Sequence, residues 1–322
     1  MKCILAIVFC FATSLCLSAT AQHSFRPADN AALRYWMAFA QMNDSPISAA
    51  DAAQMDAIIG GKAPWNEQKF GPLVEQNNDA IETMIRGTKL PYCDWGIEYD
   101  LGPDAPIAYL PKARALARIN RLYARHMASA GDYDAAIRAT IAGIRFAQHM
   151  AQNASFFGAL TAKAALLPQL AEATELVTAG HLSPTQLAAL RRAVQTLPEG
   201  GFNWKNSARL EGWAIRRSIV TISESPDPKA LYQTWFGNAA PETLRLPSHR
   251  DDDELDQAMA FYGELLGADI EAANDKLPAL QKRIATLNPV LQIAIPSPAR
   301  MLAARAEAIH AQREAAEALG IK

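Results

Sequence analysis

No stretch of this 322-residue chain alternates apolar and polar residues over the length of a strand, while alanine, the best helix former, is its commonest residue. Glycines, prolines and capping residues cut the alanine-rich sequence into helix-length pieces. The first runs from near Asp29 to just before Asn43, and Ser48 caps the next, Ala49 to Ile59, which Gly60-Gly61 stops. Further helices are predicted from Pro72 to Arg86, ended by Gly87, from Ile107 to Ala130, and, after a tight Gly131-Asp132 turn, from Tyr133 to Ala151. Ser155 opens a long helix to Thr178 in which Pro168 predicts a kink, and Ser183-Pro184 opens another that ends at Leu197 before Gly200-Gly201. The remainder reads as helices from Asn203 to Ser223, Lys229 to Phe236, Asp251 to Ala273, Pro278 to Thr286 and Pro298 to Leu319. Short connections between such helices imply an all-α fold, with antiparallel helical hairpins packed as an irregular α/α superhelix or bundle.

The start of the chain sets the expected compartment. Lys2, an apolar run from Cys3 to Leu17, and Ser18-Ala19-Thr20-Ala21-Gln22 have the layout of a secretory signal peptide cut after Ala21. The run is shorter than the roughly 20 residues that span a bilayer as a helix, so no stable membrane insertion is expected after cleavage. Phe9 before Cys10 and Leu15 before Cys16 do not suit a lipid-anchored cysteine. The expected location is therefore periplasmic or secreted. Cleavage of 1–21 would leave 22–322 as a single all-helical domain, or as two packed halves meeting near 198–203. Cys93 would be its one cysteine, without an internal disulfide. With 31 Lys+Arg against 33 Asp+Glu there is no cationic excess for a phosphate backbone, and no nucleic-acid partner is expected. The preference for arginine, 20 against 11 lysines, fits a GC-rich bacterial genome.

Within Leu122 to Phe146, the run Gly131-Asp132-Tyr133-Asp134-Ala135-Ala136-Ile137 resembles the turn and second-helix start of a tetratricopeptide unit. Thr140 stands where a large residue is usual, no proline closes the unit, and one good copy is present. A wider resemblance rests on Asn30-Ala31-Ala32-Leu33-Arg34-Tyr35-Trp36, Cys93-Asp94-Trp95-Gly96, Lys112-Ala113-Arg114-Ala115-Leu116-Ala117-Arg118, Gly131-Asp132 and the closing Asn288-Pro289-Val290. Together these resemble a group of exported, all-helical bacterial proteins. The resemblance implies a fold type and a compartment, and it transfers no catalytic residue.

The six histidines include no two at a helical metal-ligand spacing, and no zinc-protease, serine-nucleophile or phosphate-loop signature occurs. No metal and no cofactor are expected. His126 and His149 lie on the two arms of the central hairpin, where they either approach each other or pack separately. Three other constellations stand out. Between Thr88 and Pro106, an irregular stretch gathers Tyr92, Cys93, Asp94, Trp95, Glu98, Tyr99 and Asp100. Long loops inside compact domains usually have a use. Asp94, Glu98 and Asp100 are candidate catalytic carboxylates, with Tyr92, Trp95 and Tyr99 as ligand-binding aromatics. The alternative is a plug, with the aromatics filling a gap between helices and the acids capping helix ends.

Glu211 is the second candidate. It shares a helix face with Ala208, Ile215, Ile219 and Ile222, so its carboxylate is predicted to point inward, toward an arginine or as a general acid beside the aromatic loop. Third, Arg114, Arg118, Arg121 and Arg125 recur at spacings of four, three and four. That stripe is either a solvated face with local ion pairs or a concave anion-binding or partner-binding surface. Two functional expectations follow. One is an exported module that binds a partner protein, or serves as a scaffold, in the cell envelope. The other is a glycan-binding protein or acid–base hydrolase that pairs the loop carboxylates with Glu211. Binding is expected over catalysis, and the expected partner is an envelope protein or a glycan.

Overall fold

The computed structural model describes residues 29–43, 48–237 and 245–321, and the predicted signal segment 1–21 lies outside them. Among the described residues every regular element is a helix, apart from one isolated bridge between Asn30 and Tyr92. The fold is all-α. Capping side chains explain where most helices start. Asn30 accepts from the Ala32 N–H ahead of α1 (Ala31–Gln41), and Ser48 from the Asp51 N–H ahead of α2 (Ala49–Ile59).

The helix expected from Pro72 to Arg86 is in fact two, α3 (Glu67–Gln76) and α4 (Asn78–Gly87). The break falls on the fully buried Asn77. Its side chain accepts from the Asn43 N–H at 2.9 Å and donates to the Leu73 carbonyl at 2.9 Å, which fixes it as the cap shared by the two helices.

The centre of the molecule is α5 (Tyr109–Ser129), α6 (Tyr133–Ala151) and α7 (Phe156–Thr178). Gly131, at φ +79°, makes the turn that lets α6 fold back against α5, and Asp132 caps α6 by accepting from the Ala135 N–H. Helix α7 continues through Pro168 to Thr178. Helices α5, α6 and α7 approach closely because many of their contact residues are small. At Gly143 a β-carbon would lie 2.4 Å from Gln169 and 2.8 Å from Asn120. Helix α8 (Pro184–Gln195) starts with a capping box in which Ser183 and Gln186 bond each other's backbone.

The C-terminal part comprises α9 (Trp204–Glu224), α10 (Pro228–Phe236), α11 (His249–Gly267), α12 (Ile270–Ala285), α13 (Pro289–Ala294) and α14 (Pro298–Ala318). The boundary expected near Ala273 lies earlier, at Asp269, whose side chain accepts from the Ala272 N–H and so starts α12. The short α13 was not predicted; Asn288 caps it by accepting from the Val290 N–H at 2.9 Å. Helix α1 packs on α4, α6 on both α5 and α7, α9 on α11, and α14 on α7 and α12. The buried apolar side chains form one connected core that reaches from Ala31 to Leu319.

Candidate functional site

The aromatic loop between α4 and α5 is turned into the core. Trp95 and Tyr99 are each 7% exposed. The Trp95 ring stacks on Tyr109 at 4.1 Å and on Tyr35 at 5.5 Å, and its Nε1 donates to the His149 carbonyl at 2.9 Å. The indole's ring faces and its N–H are thus engaged by the protein itself, which is the packing of a plug. Tyr99 donates to the Asn153 carbonyl and accepts from the Ser155 N–H, and burial pushes its phenol up to about 12. It too is an anchor and not a ligand contact.

Tyr92 is half exposed, and its hydroxyl donates to Asp94 at 3.0 Å. Asp94 also accepts from the Gly96 N–H, while Asn30 bonds the Asp94 backbone on both sides, accepting from its N–H and donating to its carbonyl. Glu98 and Asp100 are exposed, and Asp100 faces Arg217. The loop carboxylates thus tie the loop shut or meet solvent, which is the plug arrangement. Cys93 is fully buried, and burial together with Asp94 pushes its thiol well above the usual range.

Glu211 does point inward, but it meets neither an arginine nor a loop acid. The Phe156 N–H donates to its Oε2 at 3.0 Å, and Ser155 supplies a second hydrogen bond. The carboxylate therefore caps α7 from a neighbouring helix, a place where the helix dipole favours negative charge. Burial raises its pKa and the Phe156 bond pulls it back. Among the described residues no hydrogen bond joins Glu211 to Asp94, Glu98 or Asp100.

The arginine stripe is largely an internal ladder of ion pairs. Arg118 meets Asp56 at 2.6 Å. Arg121 is fully buried and clasped by Glu172 and Glu175 from α7, and Arg125 reaches Glu172 at 3.1 Å and also pairs with Glu175. Burial and the adjacent Arg125 pull the Arg121 guanidinium down to about 9, which leaves it charged at neutral pH. Only Arg114 stays on the surface, at the mouth of a cavity of about 210 Å³. Three of the four charges in the stripe are thus engaged within the protein, Arg118 by Asp56 of α2 and Arg121 and Arg125 by Glu172 and Glu175 of α7. His126 bonds Glu67 at 2.9 Å and His149 bonds Tyr35 at 2.5 Å, so the two histidines pack separately.

What the sequence reading missed lies on the opposite face of α6. Asp134, Arg138, Ile141, Arg145, Gln148 and Gln152 follow one another at spacings of three and four, an outward stripe that passes for an ordinary solvated face. In the structure this stripe is the floor of a groove walled by the end of α4 and by α8. The groove has a volume of about 680 Å³. Ile137, Ile141, Ala189 and Ala193 give it an apolar floor, while Lys89, Arg138, Arg145 and Arg192 stand around it against the single acid Asp134. Arg138 is held by Glu82, whereas Lys89, Arg145 and Arg192 have no ion-pair partner among the described residues. Beyond Arg145 and Gln148 the groove continues into a polar cleft of about 450 Å³, and through Asn203 and Asn206 into a third depression between α9 and α11.

No three histidine, cysteine, aspartate or glutamate side chains among the described residues gather as metal ligands, and no described helix is long and apolar enough to cross a membrane. Fold and site together define an all-α protein with a continuous, cation-rimmed surface groove. No protein-family model, curated protein or solved structure matches this chain.

Proposed function

We propose that this chain is an exported helical binding protein of the cell envelope, and that the groove between α4, α6 and α8 takes an acidic segment of a partner protein. The observation that carries the reading is the pairing of an apolar floor with three uncompensated cations, Lys89, Arg145 and Arg192. The volume, about 680 Å³, falls in the range of ligand-sized pockets. An occupant with apolar residues on one side and carboxylates at its edges would bury the Ile137–Ile141 surface and neutralise the rim. Rim charges of this kind act mainly on encounter rate and partner choice, and their effect is screened by salt. Export rests on the leader-like residues 1–21, and a periplasmic or extracellular partner follows from that reading.

A displayed library of random peptides, panned on the purified exported chain, tests the proposal. Acidic sequences carrying apolar residues should be enriched, and their retention should fall with added salt and be lost in Lys89→Glu and Arg192→Glu variants. Enrichment of neutral or basic peptides, or retention unchanged in both variants, would overturn it.

A further inference from the structure

The polar cleft beyond the groove holds features that peptide binding does not explain. His149 is 2% exposed and lines this cleft; its Nδ1 is engaged by the Tyr35 hydroxyl at 2.5 Å, and its Nε2 has no hydrogen-bond partner. A buried nitrogen left unpaired costs about 1–3 kcal/mol, and a water or a ligand atom entering from the cleft would relieve that cost. Burial, with Arg145 nearby, holds the imidazole down to about 4, which keeps it neutral at ordinary pH. Either ring tautomer leaves Nε2, as donor or as acceptor, facing the unfilled side of the ring. Arg145 lines the same cleft, and among the described residues its guanidinium bonds only the Gln148 side-chain amide. Asn153, also at the cleft, is held at φ +57°, a left-handed conformation that no other non-glycine described residue adopts.

Asn203 and Asn206 carry the cleft over into the depression between α9 and α11, whose volume is about 540 Å³. Trp213 stands there 41% exposed, and its Nε1 has no hydrogen-bond partner among the described residues. Its ring lies 6.1 Å from that of Tyr99, and unlike Trp95 it keeps exposed surface on the side of the depression. Arg209 bonds Asn206 and has no carboxylate partner, whereas Arg216 and Lys205 are tied to Asp256 and Glu264.

We propose that the cleft and the α9–α11 depression form one site for a short acidic oligosaccharide, with a carboxylate of the sugar chain on Arg145 and a sugar ring stacked on Trp213. Planar amides that both donate and accept suit hydroxyl groups, an aromatic face suits the C–H face of a pyranose, and the uncompensated Arg145 and Arg209 select negative charge. From Asn203 to Trp213 the helix rises about 15 Å, longer than one sugar ring, so the occupant is an oligomer. The site adjoins the peptide groove, and Arg145 and Gln148 border both.

An array of immobilised oligosaccharides bearing uronic or sialic acids, beside their neutral counterparts, tests this with the full exported chain. Acidic members should retain the protein, and retention should fall at least tenfold in Trp213→Ala, in Arg209→Gln and in Arg145→Gln. Trp213 and Arg209 are on the surface, so their variants decide the matter even if Arg145→Gln fails to fold. Lys89→Glu should leave glycan retention unchanged, which separates this site from the peptide groove. Retention of no acidic member, equal retention of neutral ones, or indifference to Trp213→Ala and Arg209→Gln would overturn the proposal.

Discussion

The strongest acid sensitivity in this molecule should come from His149. Its imidazole is 2% exposed, and burial holds its pKa down to about 4 against an ordinary value near 6.5. Because the folded state resists protonation, the unfolded chain binds more protons between those two values. Stability contributed by neutral His149 is therefore complete above about pH 6.5 and is lost as pH falls toward 4. A shift of this size corresponds to about 3 kcal/mol, accumulated at no more than about 1.4 kcal/mol per pH unit. Glu211 acts in the opposite sense. Its raised pKa means that the folded state holds a proton more tightly, so its contribution diminishes as pH rises above the ordinary carboxylate range. The slopes are separated by urea denaturation of the wild type and His149→Gln at pH 7, 5.5 and 4. The variant will be weaker at pH 7, having lost its bond to Tyr35, but the gap should close by about 3 kcal/mol as pH falls. A constant gap across that range would refute the assignment of a buried neutral imidazole.

Three further outcomes follow. Glu172→Gln leaves the fully buried Arg121 with only the partly exposed Glu175, and should cost about 3–5 kcal/mol in chemical denaturation; a loss below 1 kcal/mol would show that water already screens the pair. Trp95→Ala empties a stack of four aromatic rings and should cost about 3–5 kcal/mol, with no effect on any glycan retention. Cys93 should not react with a thiol reagent until the chain unfolds, because the sulfur is buried and its thiol strongly disfavours ionisation; labelling of the native protein within minutes would contradict both.

Helix positions were legible wherever the signal was local. Ser183 with Gln186 three residues on is a capping box in sequence and in space, and Gly131-Asp132 is the turn it reads as. The Asn77 break was not legible, because asparagine interrupts that helix through a bond to Asn43, from a segment more than thirty residues earlier. The same distinction governs the site. Spacing put Arg114, Arg118, Arg121 and Arg125 on one face but was silent on Glu172 and Glu175, which cover the Arg121–Arg125 end of it. The inward turn of Glu211 followed from its apolar neighbours, whereas its partner, the start of α7, is a backbone feature that no residue type announces. The outer face of α6 was visible as a periodic stripe. Its meaning depended on α4 and α8 rising beside it.

The burial of Cys93 also sets a deadline. Oxidation of Cys93 would gain the fold nothing, because its sulfur is buried where an added oxygen or a mixed disulfide has no room. Any adduct formed before the core closes would be a permanent block to closing it. Burial then works as a race between collapse and oxidant, and the architecture favours collapse, since α5, α6 and α7 pack on their immediate neighbours and such local contacts form quickly. Dimers joined through Cys93 would be fossils of molecules that lost that race.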